Sequence, residues 1–378
     1  MAAASGWWAA KRRDRRARRK NGYSLSPEYY RGLNYLLNEE QDKALDVFLR
    51  LVEADSETIE THFALGGLFR RRGEVERAIR IHQNLLARPS LETVQRSIAL
   101  MELAKDYMSA GLLDRAESLL LDVVKHPGQQ PEALEHLLTI YQREREWEKA
   151  IDTAQKMGPA ADTHIRQIIA HCHCEIATAA NRTNLRHKAV EALQNALMSD
   201  PRSVRANILL GDMAYEEQQY LKAYRYYLRV FELDEDFVPE VVDRIIDCID
   251  QGVPSTDFDN QVRRYSDKPA RGTLLPGLIK YFSKTKNRDS VRDYAREQIR
   301  KAPNLYSMKE WLEVEFSADE INLDQIREAP WLLERLMKQW PNYRCRQCGY
   351  QSTVLNWQCP ACKSWSTLKP SIPGGINA

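Results

Sequence analysis

The sequence predicts an all-α chain of stacked helix–turn–helix repeats that ends in a small domain built around a metal ion. Three observations carry that prediction. First, a small residue followed mostly by an apolar one recurs at Ala44-Leu45, Ala78-Ile79, Ala116-Glu117, Ala150-Ile151, Ala189-Val190 and Ala223-Tyr224, at separations of 34, 38, 34, 39 and 34 residues. Second, Cys345, Cys348, Cys359 and Cys362 form two C-x2-C pairs with ten residues between them. Third, the 378 residues are 29% charged, and no stretch is apolar for the roughly 20 residues that a bilayer span needs.

From the N-terminus, Ala2 to Ala10 is apolar and holds Trp7 and Trp8, but it is about half the length of a span. Lys11 to Lys20 then places eight basic residues in ten, against a whole-chain net charge of only +2. Tryptophans followed by a basic run have the composition of the cytoplasmic edge of a membrane helix. Residues 1–20 are therefore read as a truncated anchor remnant with a basic juxtamembrane segment. The expectation is that an upstream in-frame start adds about ten or more apolar residues.

The recurring alanines have the tetratricopeptide period. Twelve places before them stand Gly32, Gly66, Ala104, Leu138, Ala177 and Gly211, where the two helices of a repeat approach closely; Leu138 is the exception. Three places further on are Tyr35, Phe69, Tyr107, Tyr141, Ala180 and Ala214, mostly aromatic filler. One such helix pair cannot bury its apolar face alone, so neighbours stack, and a right-handed superhelix with a concave groove is expected. The array is assigned to residues 26–330, about eight units, of which the seventh (238–268) is degenerate because it breaks at Gly252-Val253-Pro254. The aromatic residues of 220–231 fall at helical spacing and are read as packing between helices, not as a base-stacking platform. No nucleophile, base and oxyanion arrangement can be assembled, so no enzyme is expected.

Residues 331–340 form a short apolar stretch closed by Pro341, read as a helix that docks the terminal domain onto the array. The segment 341–370 is too small to hold a fold by its apolar core, so ion binding must supply most of its stability. Two C-x2-C pairs offer the closed tetrahedral shell that zinc or a single iron accepts. The other cysteines, Cys172, Cys174 and Cys248, are read as buried small side chains. In particular, His171-Cys172-His173-Cys174 cannot converge on one ion from a helix, because neighbours two apart point to nearly opposite sides.

Tyr343-Arg344-Cys345-Arg346-Gln347-Cys348-Gly349-Tyr350 and Trp357-Gln358-Cys359-Pro360-Ala361-Cys362 resemble the two knuckles of a rubredoxin, with a much shorter gap between them. Together with the array, notably Tyr29 to Leu37 and Arg72 to Gln83, they make the chain similar to the lipopolysaccharide assembly protein B (LapB, also YciM) family over nearly its whole length. The resemblance implies an adaptor at the cytoplasmic face of the inner membrane. Its implied task is to regulate lipopolysaccharide synthesis by promoting degradation of the deacetylase LpxC by the membrane protease FtsH, with other lipopolysaccharide assembly proteins as further partners. It also implies iron in the four-cysteine site, with zinc left open, and leaves a homodimer open. No nucleic-acid partner is expected. The alternative from another class is a rubredoxin-type electron carrier fused to a docking array; an RNA-binding repeat protein using the basic tail is a third.

Overall fold

The computed structural model describes residues 27–38, 40–54, 59–89, 91–158, 163–266, 275–285 and 341–371, with scattered positions between 291 and 334. The anchor remnant and basic run of 1–20 lie outside the described residues, as does the docking helix of 331–340 apart from Glu334. Among the described residues, no helix is long and apolar enough to cross a membrane.

The chain divides into two compact units, Met1–Met157 and Gly158–Ala378. The first holds four helix pairs: α1 (Pro27–Leu37) with α2 (Gln41–Ala54), α3 (Ile59–Arg71) with α4 (Val75–Leu86), α5 (Thr93–Ser109) with α6 (Leu113–Val123), and α7 (Gln130–Glu144) with α8 (Trp147–Lys156). In the second, α9 (Thr163–Arg182) pairs with α10 (Arg186–Ser199) and α11 (Val204–Glu216) with α12 (Tyr220–Leu233). There follow α13 (Pro239–Asp250), α14 (Thr256–Ser266) and α15 (Leu275–Thr285). The stretch expected as a degenerate seventh unit holds α13 and α14 on either side of the turn at Gly252, where φ is 93°.

Why these helices pair is visible at one repeated contact. A Cβ added to Gly32 would stand 2.7 Å from the Phe48 ring, and at Gly66 and Gly211 it would run still closer to His82 and Tyr227. Each partner lies sixteen residues downstream. Leu138 breaks the rule of a small residue here, and its own counterpart sixteen places on is Ala154; both are buried, at 4% and 1% exposure. Large and small have changed sides across one interface, which keeps the packed volume roughly constant. Ala44, Ala78, Ala116, Ala150, Ala189 and Ala223 are all fully buried. Tyr224, Tyr227 and Phe231 are buried as well, which makes that aromatic stripe packing.

The turn between the helices of a pair repeats too. Five residues before the buried alanine stand Gly73, Gly111, Arg145, Asn184 and Gln218, all with φ between 58° and 79°. Only two of the five are glycine, the residue that takes this conformation without steric penalty.

The C-terminal domain is an antiparallel sheet of order β2-β1-β3, from β1 (Tyr343–Cys345), β2 (Gln351–Ser352) and β3 (Leu368–Pro370). In register, Arg344 faces Gln351 on one side and Lys369 on the other. Its buried core is Cys345, Cys359 and Leu368, with Tyr343, Leu355 and Cys362 packed alongside.

Candidate metal centre

Each C-x2-C pair sits on a tight turn, and the two turns are copies of each other. The N–H of Gly349 donates to the Cys345 carbonyl at 3.0 Å, and the N–H of Lys363 to the Cys359 carbonyl at 2.9 Å. The N–H of Cys345 returns to the carbonyl of Tyr350 and that of Cys359 to the carbonyl of Ser364. Closing such a turn needs a left-handed residue four places after the first cysteine; Gly349 has φ 76° and Lys363 φ 61°. Glycine supplies this freely, whereas lysine holds it under strain.

These turns converge the four sulfurs. Cys345 Sγ lies 3.7 Å from Cys362 Sγ, and Cys348 Sγ lies 3.7 Å from Cys359 Sγ. All four ligand atoms lie within 4.8 Å of one another. A tetrahedral ion with metal–sulfur bonds of about 2.3 Å would hold its sulfurs about 3.8 Å apart, so the donor set fits a four-coordinate metal. His171, Cys172, His173 and Cys174 form no comparable group among the described residues. Cys172 and Cys174 are buried, and burial pushes each thiol up to about 12.

The electrostatics point the same way. Burial pushes the Cys345 thiol up, but the Thr367 hydroxyl and the backbone N–H groups of Cys348 and Gln347 outweigh it and draw the thiol down to about 6. Cys362 is likewise lowered, chiefly by the N–H of Ser364. At Cys348 the N–H of Tyr350 pulls downward, yet burial and the three neighbouring sulfurs carry it up to about 11. Sulfurs this close cannot all ionise against one another's charge, and a divalent cation among them removes that conflict.

The domain is fastened to the helices of its own unit by side chains that sequence reasoning missed. His171 Nε2 lies 2.8 Å from the Ser366 hydroxyl, and the imidazole stacks on Trp365 with centroids 4.6 Å apart and planes 11° apart. Burial, with Arg205 nearby, lowers His171 to about 3, so this imidazole is neutral. Arg205 stands one repeat period of 34 residues further on and lies over Trp357, 5.9 Å from the ring centroid. Trp357 also packs on Phe237, at 5.0 Å. The loop after α12 and the start of α13 hold the sheet: Asp234 pairs with Lys369, Asp236 with Arg346 at 3.4 Å, and Glu240 of α13 accepts a 2.8 Å bond from the Tyr343 hydroxyl. The available signal was the recurrence of polar residues at one repeat position, His171 and Arg205, opposite a terminal segment rich in tryptophan.

Helical repeats and a paired-knuckle sulfur site together define the class: a tetratricopeptide-repeat protein carrying a four-cysteine metal domain of rubredoxin type. Sequence comparison agrees. A family model described as "Rubredoxin metal binding domain" matches residues 343–370, and tetratricopeptide-repeat models match 61–92 and 174–236. "Lipopolysaccharide assembly protein B" of Escherichia coli (strain K12) is 32% identical over 374 residues, spanning 98% of this chain and 96% of that protein. Its namesake in Haemophilus influenzae is 31% identical over 382 residues, with the same coverage of both chains. Among solved structures, the C-terminal part of a tetratricopeptide protein from Cytophaga hutchinsonii matches with a TM-score of 0.41 at 12% identity, over 75% of this chain and 98% of that one. The chain belongs to the lipopolysaccharide assembly protein B family.

Proposed function

We propose that this chain is a non-enzymatic adaptor at the cytoplasmic face of the inner membrane that promotes FtsH-dependent proteolysis of the deacetylase LpxC. Family membership makes a role in lipopolysaccharide assembly the frame for this reading. The observation that supports it is the packing of the metal domain on the repeat helices through His171, Arg205 and Phe237, which joins the two into one protein surface. In this reading residues 1–20 are the anchor segment, 26–330 the array, 331–340 a docking helix and 341–370 the metal domain. Cys345, Cys348, Cys359 and Cys362 hold one ion, iron in preference to zinc, whose role is to fold the domain. FtsH and LpxC are the partners.

The test is LpxC half-life in cells. Deleting the protein should lengthen it, and the anchored full chain should restore the short value. Removing residues 1–20 should weaken the effect more than it weakens binding in solution, since tethering to one membrane raises effective concentration without new contacts. Unchanged half-life on deletion would end the reading. Elemental analysis of protein made without added metal, with a search for a reducible iron–sulfur absorption, decides the ion.

A further inference from the structure

The segment Ser364-Trp365-Ser366-Thr367 leaves the second knuckle and crosses to the first. The carbonyl of Ser364 accepts the N–H of Cys359 at 2.9 Å, and the carbonyl of Thr367 accepts the N–H of Arg346 at 2.8 Å, so each end is tied to one knuckle. Each end also brings a hydroxyl to a sulfur. Thr367 Oγ1 lies 3.3 Å from Cys345 Sγ, and Ser364 reaches Cys362 with both its hydroxyl and its N–H. Those two sulfurs come from different knuckles and lie 3.7 Å apart. A metal-bound thiolate has no proton to give, so both hydroxyls act as donors to it, and such a bond draws charge off the sulfur.

The middle of the segment meets the repeat helices instead. Trp365 stacks on His171, and the Ser366 hydroxyl lies 2.8 Å from His171 Nε2. Ser366 holds φ 54°, a left-handed conformation that serine keeps only where its surroundings impose it. The same four residues therefore touch the sulfurs with their ends and α9 with their middle. We propose that Ser364 and Thr367 are positioning residues for the metal, whose hydroxyls hold and tune Cys362 and Cys345, and that the seating of Ser366 on His171 sets how firmly they do so. Retention of the ion is then linked to docking on the array, and by reciprocity whatever lifts this segment off α9 loosens the ion. The proposal goes beyond the adaptor reading and rests only on the four cysteines holding one ion.

The probe is Co²⁺ bound to the full chain, because its sulfur-to-metal absorption reports the electron density on the thiolates. Thr367→Val keeps the side-chain shape and drops the hydroxyl. Its absorption should move to longer wavelength, since Cys345 retains more charge, and cobalt should pass to a chelator about tenfold faster. Thr367→Ser should restore both properties. Ser366→Ala should speed the transfer by a few-fold, and Thr367→Val added to it should do less than it does in the parent chain. An unshifted absorption in Thr367→Val, or the same change in Thr367→Ser, overturns the positioning role, and strict additivity with Ser366→Ala overturns the link to His171. If Thr367→Val takes up no cobalt, Ser364→Ala is measured against the same criteria, with Cys362 as the reporting sulfur. A parent chain without four-sulfur cobalt absorption would overturn the site and the proposal together, which sets that failure apart from the others.

Discussion

The four repeats of the first unit and the two that open the second solve the same packing problem differently. In the first unit each repeat carries an aromatic residue with a cation over its ring, always eight residues on: Lys43 on Tyr35, Arg77 on Phe69, Arg115 on Tyr107 and Lys149 on Tyr141. The next two repeats keep the cation position, as Lys188 and Lys222, but have Ala180 and Ala214 in place of the ring. They are instead braced by the metal domain, through His171 on Ser366, a contact that spans 195 residues, and through Arg205 over Trp357. Local contacts leave a repeat's stability to itself and its immediate neighbours. Distant ones make its stability depend on whatever folds the distant segment.

The largest expected effect tests that dependence. Cys345→Ser or Cys359→Ser should lose the ion, and with it on the order of 10 kcal/mol of binding free energy that folds residues 341–371. Hydrogen exchange should then show amide protection falling in α9, α11 and α13 while α3 to α8 keep theirs. Equal loss in both units, or full metal retention, would break the comparison.

Next in size is the contact between ion and helix. Trp365 is 8% exposed and stacked on His171, so Trp365→Ala should cost about 3–5 kcal/mol of domain docking, read as faster metal release to a chelator at unchanged first-unit stability. A variant that releases metal at the parental rate would place the fastening elsewhere.

Much of this was legible in the sequence, and what was not has physical reasons. The alanine and glycine positions were readable because a close helix contact tolerates few side chains, and the sulfurs because metal geometry fixes their spacing. Leu138 is an exception only at its own position, because Ala154 sixteen residues on is small in turn, and volume is conserved across an interface and not at a single position. His171 was hidden in a segment that also reads as buried helix. Its partners lie 194 and 195 residues away, and no local pattern encodes so distant a contact.

Acid should separate the units by a smaller amount. The folded state holds His171 at about 3, below the ordinary imidazole value, so below about pH 6.5 the unfolded chain binds a proton that the folded one refuses. This contribution is therefore complete above that pH and declines as pH falls towards 3, by at most about 1.4 kcal/mol per pH unit. Between pH 7 and 5 the second unit should lose stability faster than the first in chemical denaturation. His171→Asn, which keeps a hydrogen-bonding group for Ser366 without titrating, should flatten the difference. An equal slope in parent and variant would assign the acid response to the thiolates.

The smallest effect concerns the turns, where the units differ in degree. Gly73 and Gly111 hold φ 79° and 75°, while Arg145, Asn184 and Gln218 reach φ 60°, 58° and 62° with side chains that disfavour the left-handed region. Relief of that strain should make Arg145→Gly and Gln218→Gly stabilising by about 0.5–1 kcal/mol, less the entropy that glycine adds to the unfolded chain. Asn184→Gly should be close to neutral, because asparagine already tolerates this conformation. Gly73→Ala should cost about 1 kcal/mol; since a Cβ there would meet nothing within 4 Å, the whole cost is backbone. In the second knuckle Lys363→Gly, at φ 61°, should behave like Gln218→Gly, raising metal affinity by a few-fold through a better-formed turn. If Arg145→Gly, Gln218→Gly and Lys363→Gly destabilise instead, these side chains make contacts that outweigh their strain, and the shared left-handed turn is a consequence of packing instead of a local constraint on it.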